Sequence, residues 1–356
     1  MSFIGTSAFG LRMPIIKEGD DVVDIITSSL GEAYDKGEYK PKENDIIGIT
    51  ESVVARAEGR YVTLDDIIKD LKEYFPDNSR IYVYNPIYSR NRFSVILRGI
   101  ARYFDKVFII SDYEDEVGNV VIHPITKVNY KDFYKEICES ENAEMTWCHK
   151  FDRLGKDTPI INCTLHPELH RFDGTQKLSD NVISLKEICS DVSQYGLLGS
   201  NKVNEETLKL FPDSKNQELV ERLKESIQKK FNLGNVDVMI YGDGCYKDAT
   251  SGIWEFADPV VSPAYTKGLK GTPSELKLKY LADDEFSSLK GKKLDNAIKE
   301  RISKKQVVQG NMETQGTTPR HYTDLLGSLM DLISGSGDKG TPVVVVQDYF
   351  KNYSME

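Results

Sequence analysis

The stretch VDVMIYGDG, residues 236–244, indicates how this chain folds. Its first six residues form a short run rich in valine and isoleucine, which predicts a β-strand. The run passes directly into Gly-Asp-Gly, so Asp243 is expected at the carboxyl end of that strand. Sheets of α/β proteins hold their ligands at that end, and the flanking glycines allow a ligand to approach the backbone closely.

Other segments extend the same pattern along the chain. Further strands are predicted at residues 45–50, 80–85, 106–111 and 341–347. Apolar residues at helical spacing predict helices at residues 20–30, 64–74, 93–104, 217–231 and 323–333. Strands that alternate with helices indicate an α/β protein.

The length of 356 residues suggests two domains of ordinary size or one large one. We expect an N-terminal α/β domain over residues 1–125 and a C-terminal α/β domain over residues 191–356. Residues 126–190 are polar, contain cysteines and show little periodicity, so they are interpreted as an intervening segment.

Composition and charge argue against several classes of protein. A net charge of −10 would repel nucleic acid, and no run reaches the 18 or more apolar residues of a membrane span. The five cysteines are odd in number and no pair has CxxC spacing, which favours free thiols in a reducing compartment. We therefore expect a cytoplasmic protein that binds neither nucleic acid nor membrane.

Four carboxylates follow the strand at residues 236–241 within a short distance, and clustered carboxylates suit a hard cation such as Mg²⁺ or Mn²⁺. An acidic turn with solvated side chains is an equally good reading of this composition. The candidate metal ligands are Asp243, Asp248, Glu255 and Asp258.

A loop of small residues, SGSGDKGT, precedes the strand at residues 341–347. Successive backbone N–H groups in such a loop can bind phosphate, although the loop lacks the GxxxxGK[ST] spacing and a flexible turn is the alternative. The candidate phosphate-binding residues of this loop are Ser334, Gly335, Ser336, Gly337, Asp338, Gly340 and Thr341.

Two further polar residues fit an anionic or nucleotide ligand. Arg56 lies in ESVVARAEGR, beside a predicted strand, and an arginine fork binds phosphate or carboxylate. Asn201 ends the turn YGLLGSN and offers both a donor and an acceptor to a base or ribose. The alternatives are a solvated basic helix face for Arg56 and an ordinary turn for Asn201.

Five segments taken in order resemble the coenzyme F(420)-0:L-glutamate ligase family of γ-glutamyl ligases, and the motifs SRNRFS, DEVGN, YGLLGSN and YGDG resemble a bacterial branch of the same superfamily. The segments are GLRMPIIKEGDD (10–21), ENDIIGITESVVARAEGR (43–60), GLLGSNKV (196–203), the strand ending before Asp243, and SGSGDKGTPVVVV (334–346). The resemblance implies a two-domain fold with mixed sheets and flanking helices, which forms a homodimer. It implies an enzyme that uses GTP or ATP and divalent metal to join L-glutamate to a small carboxylate acceptor through an acyl phosphate.

The resemblance also assigns roles by position. Asp243 matches a metal-binding aspartate, Arg56 stands where the family has a phosphate-contacting lysine, and Asn201 matches a nucleotide-contacting asparagine. The expected catalytic residues are Asp243 and Arg56, and residues 126–190 are a candidate acceptor-recognition element. An N-terminal nucleotide loop is expected at Met13, Pro14, Ile15 and Ile16.

Some positions depart from the family pattern. Leu198 stands at a metal aspartate, and leucine cannot ligate; Ser52, Gly244 and Ser336 replace other polar contacts. Two alternatives therefore stay open beside the ligase. One is a nucleotide-binding module that has lost catalysis, and the other is a metal-dependent phosphohydrolase in which water replaces the amine.

Overall fold

A computed structural model of the chain describes residues 3–112, 114, 120–123, 126–148, 154–155, 157–163, 181–242, 245–247, 254–256, 262–272, 276–304, 321–334 and 339–355. The strands are β1 (Ser7–Leu11), β2 (Asp45–Thr50), β3 (Tyr61–Thr63), β4 (Ile81–Tyr84), β5 (Lys106–Ile110), β6 (Glu144–Cys148), β7 (Ile160–Asn162), β8 (Val182–Ser184), β9 (Ser200–Asn204), β10 (Thr207–Leu210), β11 (Val236–Tyr241), β12 (Cys245–Lys247), β13 (Trp254–Phe256) and β14 (Val343–Gln347). The helices are α1 (Val22–Asp35), α2 (Glu51–Ala57), α3 (Leu64–Tyr74), α4 (Arg92–Tyr103), α5 (Tyr130–Ser140), α6 (Gln217–Phe231), α7 (Leu278–Tyr280), α8 (Lys292–Ser303) and α9 (Tyr322–Ser334).

A four-stranded mixed sheet has the strand order β1-β14-β2-β11. Strands β2 and β11 are parallel, with Thr50 opposite Tyr241, whereas β14 is antiparallel to both β1 and β2. The carboxyl ends of β1, β2 and β11 therefore lie at the same edge of the sheet as the amino end of β14.

Helices cover both faces of this mixed sheet. Ile47 and Ile49 of β2 belong to one core with residues of α1 and α6. Ile46, which precedes Ile47 in β2, packs on the opposite face in a core that includes Met330 of α9. Because both faces are buried, β2, β11 and β14 are nearly continuous apolar runs.

A five-stranded sheet has the order β6-β5-β4-β7-β8, and all of its strands are parallel. Residues of α3, α4 and α5 pack with its strands in a single core. The segment 126–190, interpreted as an intervening excursion, supplies α5 and the strands β6, β7 and β8 to this sheet. Strand pairing thus runs across the boundary predicted near residue 125.

A three-stranded antiparallel sheet has the strand order β3-β10-β9. Its strand β10 contacts α2 and also contacts α4, which packs on the five-stranded sheet. Leu208 of β10 is buried in the same core as α3 and α4. This small sheet ties the region around α2, and hence the mixed sheet, to the parallel sheet.

The predicted mixed α/β fold is confirmed. Two predicted helices, at residues 64–74 and 217–231, have the bounds of α3 and α6. The division into domains at 125 and 190 stays a prediction. In the part of the chain described above, no helix has the length and apolar character needed to cross a membrane.

Candidate active site

A cavity of about 400 Å³ opens at the edge of the mixed sheet where β2 and β11 end. Three distant parts of the sequence meet there: the loop after β1, the start of α2, and the connection from α9 to β14. The lining residues are Met13, Pro14, Ile15, Ile16, Thr50, Ser52, Val53, Arg56, Asp331, Ser334, Gly340, Thr341 and Pro342.

Backbone contacts hold the first loop against the last one. The N–H of Met13 donates to the carbonyl of Gly340 over 3.1 Å. Gly10 lies so close to Thr341 that an added Cβ would stand 2.8 Å from the Thr341 Cβ. The close approach explains why glycine occupies position 10, and it fixes the relative position of two nucleotide-loop candidates.

The start of α2 is attached to the same connection. The N–H of Thr50 donates to the carbonyl of Pro342 over 2.9 Å. One and a half turns further along the helix, Arg56 lines the cavity with an exposed side chain. An exposed guanidinium at the mouth of the cavity is well placed to meet an incoming phosphate or carboxylate.

The end of β11 is adjacent to the α9–β14 connection. The hydroxyl of Tyr241 donates to the carbonyl of Pro342 over 3.4 Å, and Thr341 Oγ1 donates to the carbonyl of Ser334 over 3.1 Å. Burial raises the pKa of Tyr241, so its hydroxyl stays protonated at neutral pH. Asp243 follows Tyr241 by two residues in the sequence.

The charged side chains among the lining residues are Arg56 and Asp331. Of the expected metal ligands, Asp243, Asp248 and Asp258 lie outside the described residues, as does the side chain of Glu255. The described residues include no group of three or more histidines, cysteines or carboxylates able to hold a metal ion. Asp331 supplies the oxygen chemistry that Mg²⁺ prefers, so the described lining fits such an ion in part.

Asn201 occupies a position behind the cavity. Its Nδ2 donates to Glu51 Oε1 over 3.3 Å, and Glu51 is only 4% exposed. Lys209 Nζ lies 3.7 Å from Glu51 Oε2 and donates to the Ser52 hydroxyl. The role of Asn201 in nucleotide binding stays a prediction, because its side chain is not among the lining residues.

Leu198 has a structural role at its position. Its side chain is 6% exposed and belongs to the core of the five-stranded sheet. Its carbonyl accepts a hydrogen bond from Arg92. The position therefore contributes packing where the family pattern has a metal ligand.

The described cysteines do not offer a nucleophile. Burial raises the pKa of Cys138 and of Cys163 to about 12, so both remain thiols at neutral pH. Chemistry at the cavity has to proceed without a cysteine thiolate from these positions.

Much of the cavity lining was predicted from the sequence, and part of it was not. Met13 to Ile16, Arg56, Ser334, Gly340 and Thr341 were predicted and share the cavity, whereas Gly335, Ser336, Gly337 and Asp338 lie outside the described residues. Asp331 was missed. The available signal was its position three residues before Ser334, which is about one helical turn in α9.

A comparison with models of protein families identifies the family of this chain. A model of the F420-0:gamma-glutamyl ligase family matches residues 10–348.

The chain belongs to the γ-glutamyl ligase family.

The match includes the described residues that line the cavity, from Met13 to Pro342. A comparison with curated proteins gave no match. Family membership supports a γ-glutamyl-ligase-like enzyme. A second cavity of about 840 Å³ lies beside the first, between β1 and α1, and shares Met13 and Pro14 with it.

Proposed function

We propose that this γ-glutamyl ligase family member uses GTP or ATP with Mg²⁺ or Mn²⁺ to form an amide between L-glutamate and a small carboxylate acceptor. The supporting observation is the convergence of the loop at residues 13–16, Arg56 and the residues around 334–341 on one cavity. These segments are far apart in sequence, and the family resemblance assigned each of them to nucleotide binding.

The proposed reaction has two steps. An oxygen of the acceptor carboxylate attacks the γ-phosphorus, the bond to the nucleoside diphosphate breaks, and an acyl phosphate forms. The glutamate amine then attacks the acyl carbon, phosphate leaves, and the amine proton passes to solvent. Both steps depend on positioning and charge neutralisation and need no covalent intermediate with the protein.

The described residues divide this work between them. Arg56 neutralises phosphate charge at the mouth of the cavity. The backbone around Gly340 and Thr341 approaches the phosphates, since Gly340 has a φ of 73° and no side chain. A divalent ion, held by Asp331 and by carboxylates after β11, would supply further positive charge to the transferred group.

The adjoining cavity offers space for the acceptor. Its volume of about 840 Å³ is in the range of small-molecule sites, and it opens past Met13 and Pro14 toward the proposed nucleotide. Its charged lining is mixed: Arg12 and Lys36 stand beside the carboxylates Asp24, Glu32 and Glu38, and Lys36 Nζ lies 3.9 Å from Glu32 Oε2. The expectation that residues 126–190 recognise the acceptor stays a prediction.

The experiment is release of nucleoside diphosphate by the purified, folded protein with Mg²⁺, L-glutamate and a panel of folate-like and deazaflavin-like carboxylates. GTP and ATP are tested separately, and each component is omitted in turn. Ligation requires that nucleotide turnover depend on both glutamate and one acceptor. The product is then a new amide, identified by mass spectrometry.

Other outcomes separate the alternatives. Phosphate release without any amino acid indicates the phosphohydrolase. Nucleotide binding without turnover for the whole panel indicates the silent module. If neither GTP nor ATP binds in the presence of Mg²⁺ or Mn²⁺, the proposal fails at its first step.

A further inference from the structure

The five-stranded parallel sheet has a strand order with a known consequence. Counted from β4 as the first strand, the order β6-β5-β4-β7-β8 reads 3-2-1-4-5. The chain winds in one direction from β4 to β6 and then crosses to β7 on the other side. In sheets of this type a crevice forms outside the carboxyl ends of the two strands where the order reverses, here β4 and β7.

Two buried polar groups mark this carboxyl edge. Asn85 follows β4 directly and Ser111 follows β5, and each residue is 3% exposed. Within the described part of the chain, Asn85 Nδ2 and Ser111 Oγ have no hydrogen-bond partner. Asn85 lies near the Tyr134 hydroxyl, but Nδ2 makes no bond of ordinary geometry. Buried polar atoms without partners are rare in native proteins because each one loses its hydrogen bonds to water and gains none in return.

The two side chains belong to the same face of the sheet. Residues 81, 83 and 85 alternate onto one face along β4, and residues 107, 109 and 111 do so along β5. Val83 is paired with Ile109 in the parallel register, so Asn85 and Ser111 are neighbours. This is the face whose apolar residues pack with α4 and α5.

The helix after β4 begins without a side-chain cap. Asn91 is the N-cap residue of α4, yet its side chain makes no cap hydrogen bond. Instead, Asn91 Oδ1 accepts from the N–H of Lys202 over 2.8 Å. The N-terminal turn of a twelve-residue helix therefore keeps its positive end turned to this edge, and it is a natural place for an anion.

Positively charged side chains near this edge of the sheet also favour an anion. Arg92 begins α4 and lies close enough to Cys163, just after β7, to affect the thiol electrostatically. The guanidinium also donates to the carbonyl of Leu198. The loop from β4 to α4 also carries Arg90 and contains no carboxylate over residues 85–92.

We infer that the carboxyl edge of the parallel sheet around β4, beside the crevice between β4 and β7, binds an oxyanion, the phosphate or carboxylate of a small molecule, through Asn85, Ser111 and the first turn of α4. This site is separate from the cavity at residues 13–16 and 334–342, and it does not rest on the ligase reaction. The loop lacks the glycine-rich pattern of dinucleotide-binding sheets, so the ligand contacts the edge through one anionic group and not through a wrapped pyrophosphate.

Calorimetric titration of the full chain tests the inference with two probes, inorganic phosphate and glutarate, which distinguish a phosphate from a carboxylate source. The measurements use the Arg56→Ala background to weaken binding at the other cavity. Ser111→Ala should lower the affinity for the probe about tenfold. Asn85→Asp should abolish binding, because it replaces a hydrogen-bond donor by a negative charge. Asn78→Asp adds the same charge before β4, where Asn78 Nδ2 donates to the Tyr103 carbonyl, and should leave binding unchanged.

A crystal soaked in tungstate locates the anion directly. Anomalous density beside Asn85, Ser111 and the first turn of α4 supports the inference even if the Asn85→Asp chain does not fold. Density confined to the cavity at residues 334–342 overturns it. So does an ordered water between Asn85 and Ser111 with neither probe bound in solution.

Discussion

Arg56 is the residue whose replacement tests the nucleotide cavity most directly. Arg56→Ala should weaken binding of the magnesium–nucleotide complex by about tenfold or more, since a charge-assisted contact to phosphate is lost. Arg56→Lys should retain part of the affinity, because the charge stays while the bidentate geometry is lost. Calorimetry with ATP and GTP measures both variants.

The matched control is Arg222→Ala. Arg222 lies on α6 and pairs with Asp21 over 3.0 Å, at an exposed position outside the cavity lining. Equal losses of affinity in the Arg56 and Arg222 variants would argue for a general charge effect and against a phosphate contact by Arg56.

Gly196 gives a second prediction at this scale, now for stability. Its φ is 49°, and an added Cβ would lie 2.5–2.6 Å from the carbonyl oxygens of Leu185, Lys186 and Ile188. Backbone atoms cannot move aside cheaply, so Gly196→Ala should lower the free energy of unfolding by about 4 kcal/mol or more. Urea denaturation measures the change.

Gly37→Ala separates the steric part of that effect from backbone strain. Gly37 has a φ of 72°, but a Cβ added there would have no neighbouring atom within 4 Å, so this variant should cost only about 1–2 kcal/mol. Similar losses in both variants would mean that the crowding at Gly196 is relieved in solution.

Single residues were predictable where local chemistry or family position marked them. Arg56 and Thr341 stand in recognisable segments and line one cavity. Asp331 was missed, because an aspartate in the last turn of an amphipathic helix usually faces solvent. Asn85 and Ser111 end their strands as ordinary polar residues, and only the sheet reveals that they are buried together.

At the scale of elements, α4 and α5 are joined by a carboxylate. Glu141 at the end of α5 accepts from Arg98 over 2.9 Å and from Arg102 over 2.8 Å. The hydrogen bond from Arg102 is the main cause that lowers the pKa of Glu141. A lowered pKa in the folded state stabilises the protein above the ordinary value of 4.5, and this contribution is lost as the pH falls through the folded-state pKa.

Glu141→Gln should therefore lower the free energy of unfolding by about 1 kcal/mol at pH 7. The difference from the unmodified chain should shrink below the ordinary pKa of 4.5 and vanish once Glu141 is protonated in the folded protein. Urea denaturation across this pH range measures it. Glu139→Gln, an exposed change on the same helix, should show no such pH dependence; a constant difference for Glu141→Gln would contradict the electrostatic explanation.

Elements were predictable in proportion to their length and periodicity. The helices α3 and α6 have eleven and fifteen residues with a clear apolar stripe, and both were predicted with their observed bounds. The strands β7 and β8 have only three residues each, and β6 alternates exposed and half-buried positions. Runs that short carry no readable period, so β6, β7 and β8 were not predicted, whereas β4 and β5 of the same sheet were.

At the scale of the whole molecule, nucleotide binding should protect three remote segments together. Backbone amides of residues 12–16, 50–56 and 339–342 should exchange hydrogen more slowly when Mg²⁺ and the nucleotide are bound, because all three line one cavity. Hydrogen-exchange mass spectrometry measures this. The strand β6 is the internal control, and protection of only one of the three segments would contradict a shared site.

The order of the strands in the sheets could not be predicted from local sequence signals. Each strand of the mixed sheet was predictable except β1, but the order β1-β14-β2-β11 joins residues separated by up to 340 positions. Register over such distances depends on which faces are buried in the assembled cores, and no short window contains that information.

The position of β14 in the middle of the mixed sheet has a consequence for biosynthesis. Because β14 lies between β1 and β2, the nascent chain cannot close this sheet until residues 343–347 have left the ribosome. The parallel sheet, whose strands all lie between residues 81 and 184, can form much earlier during translation. A growing chain thus exposes the apolar surface of β2 for most of its synthesis and that of β11 from its emergence until β14 follows, and chaperone demand should concentrate on the interval before β14 emerges.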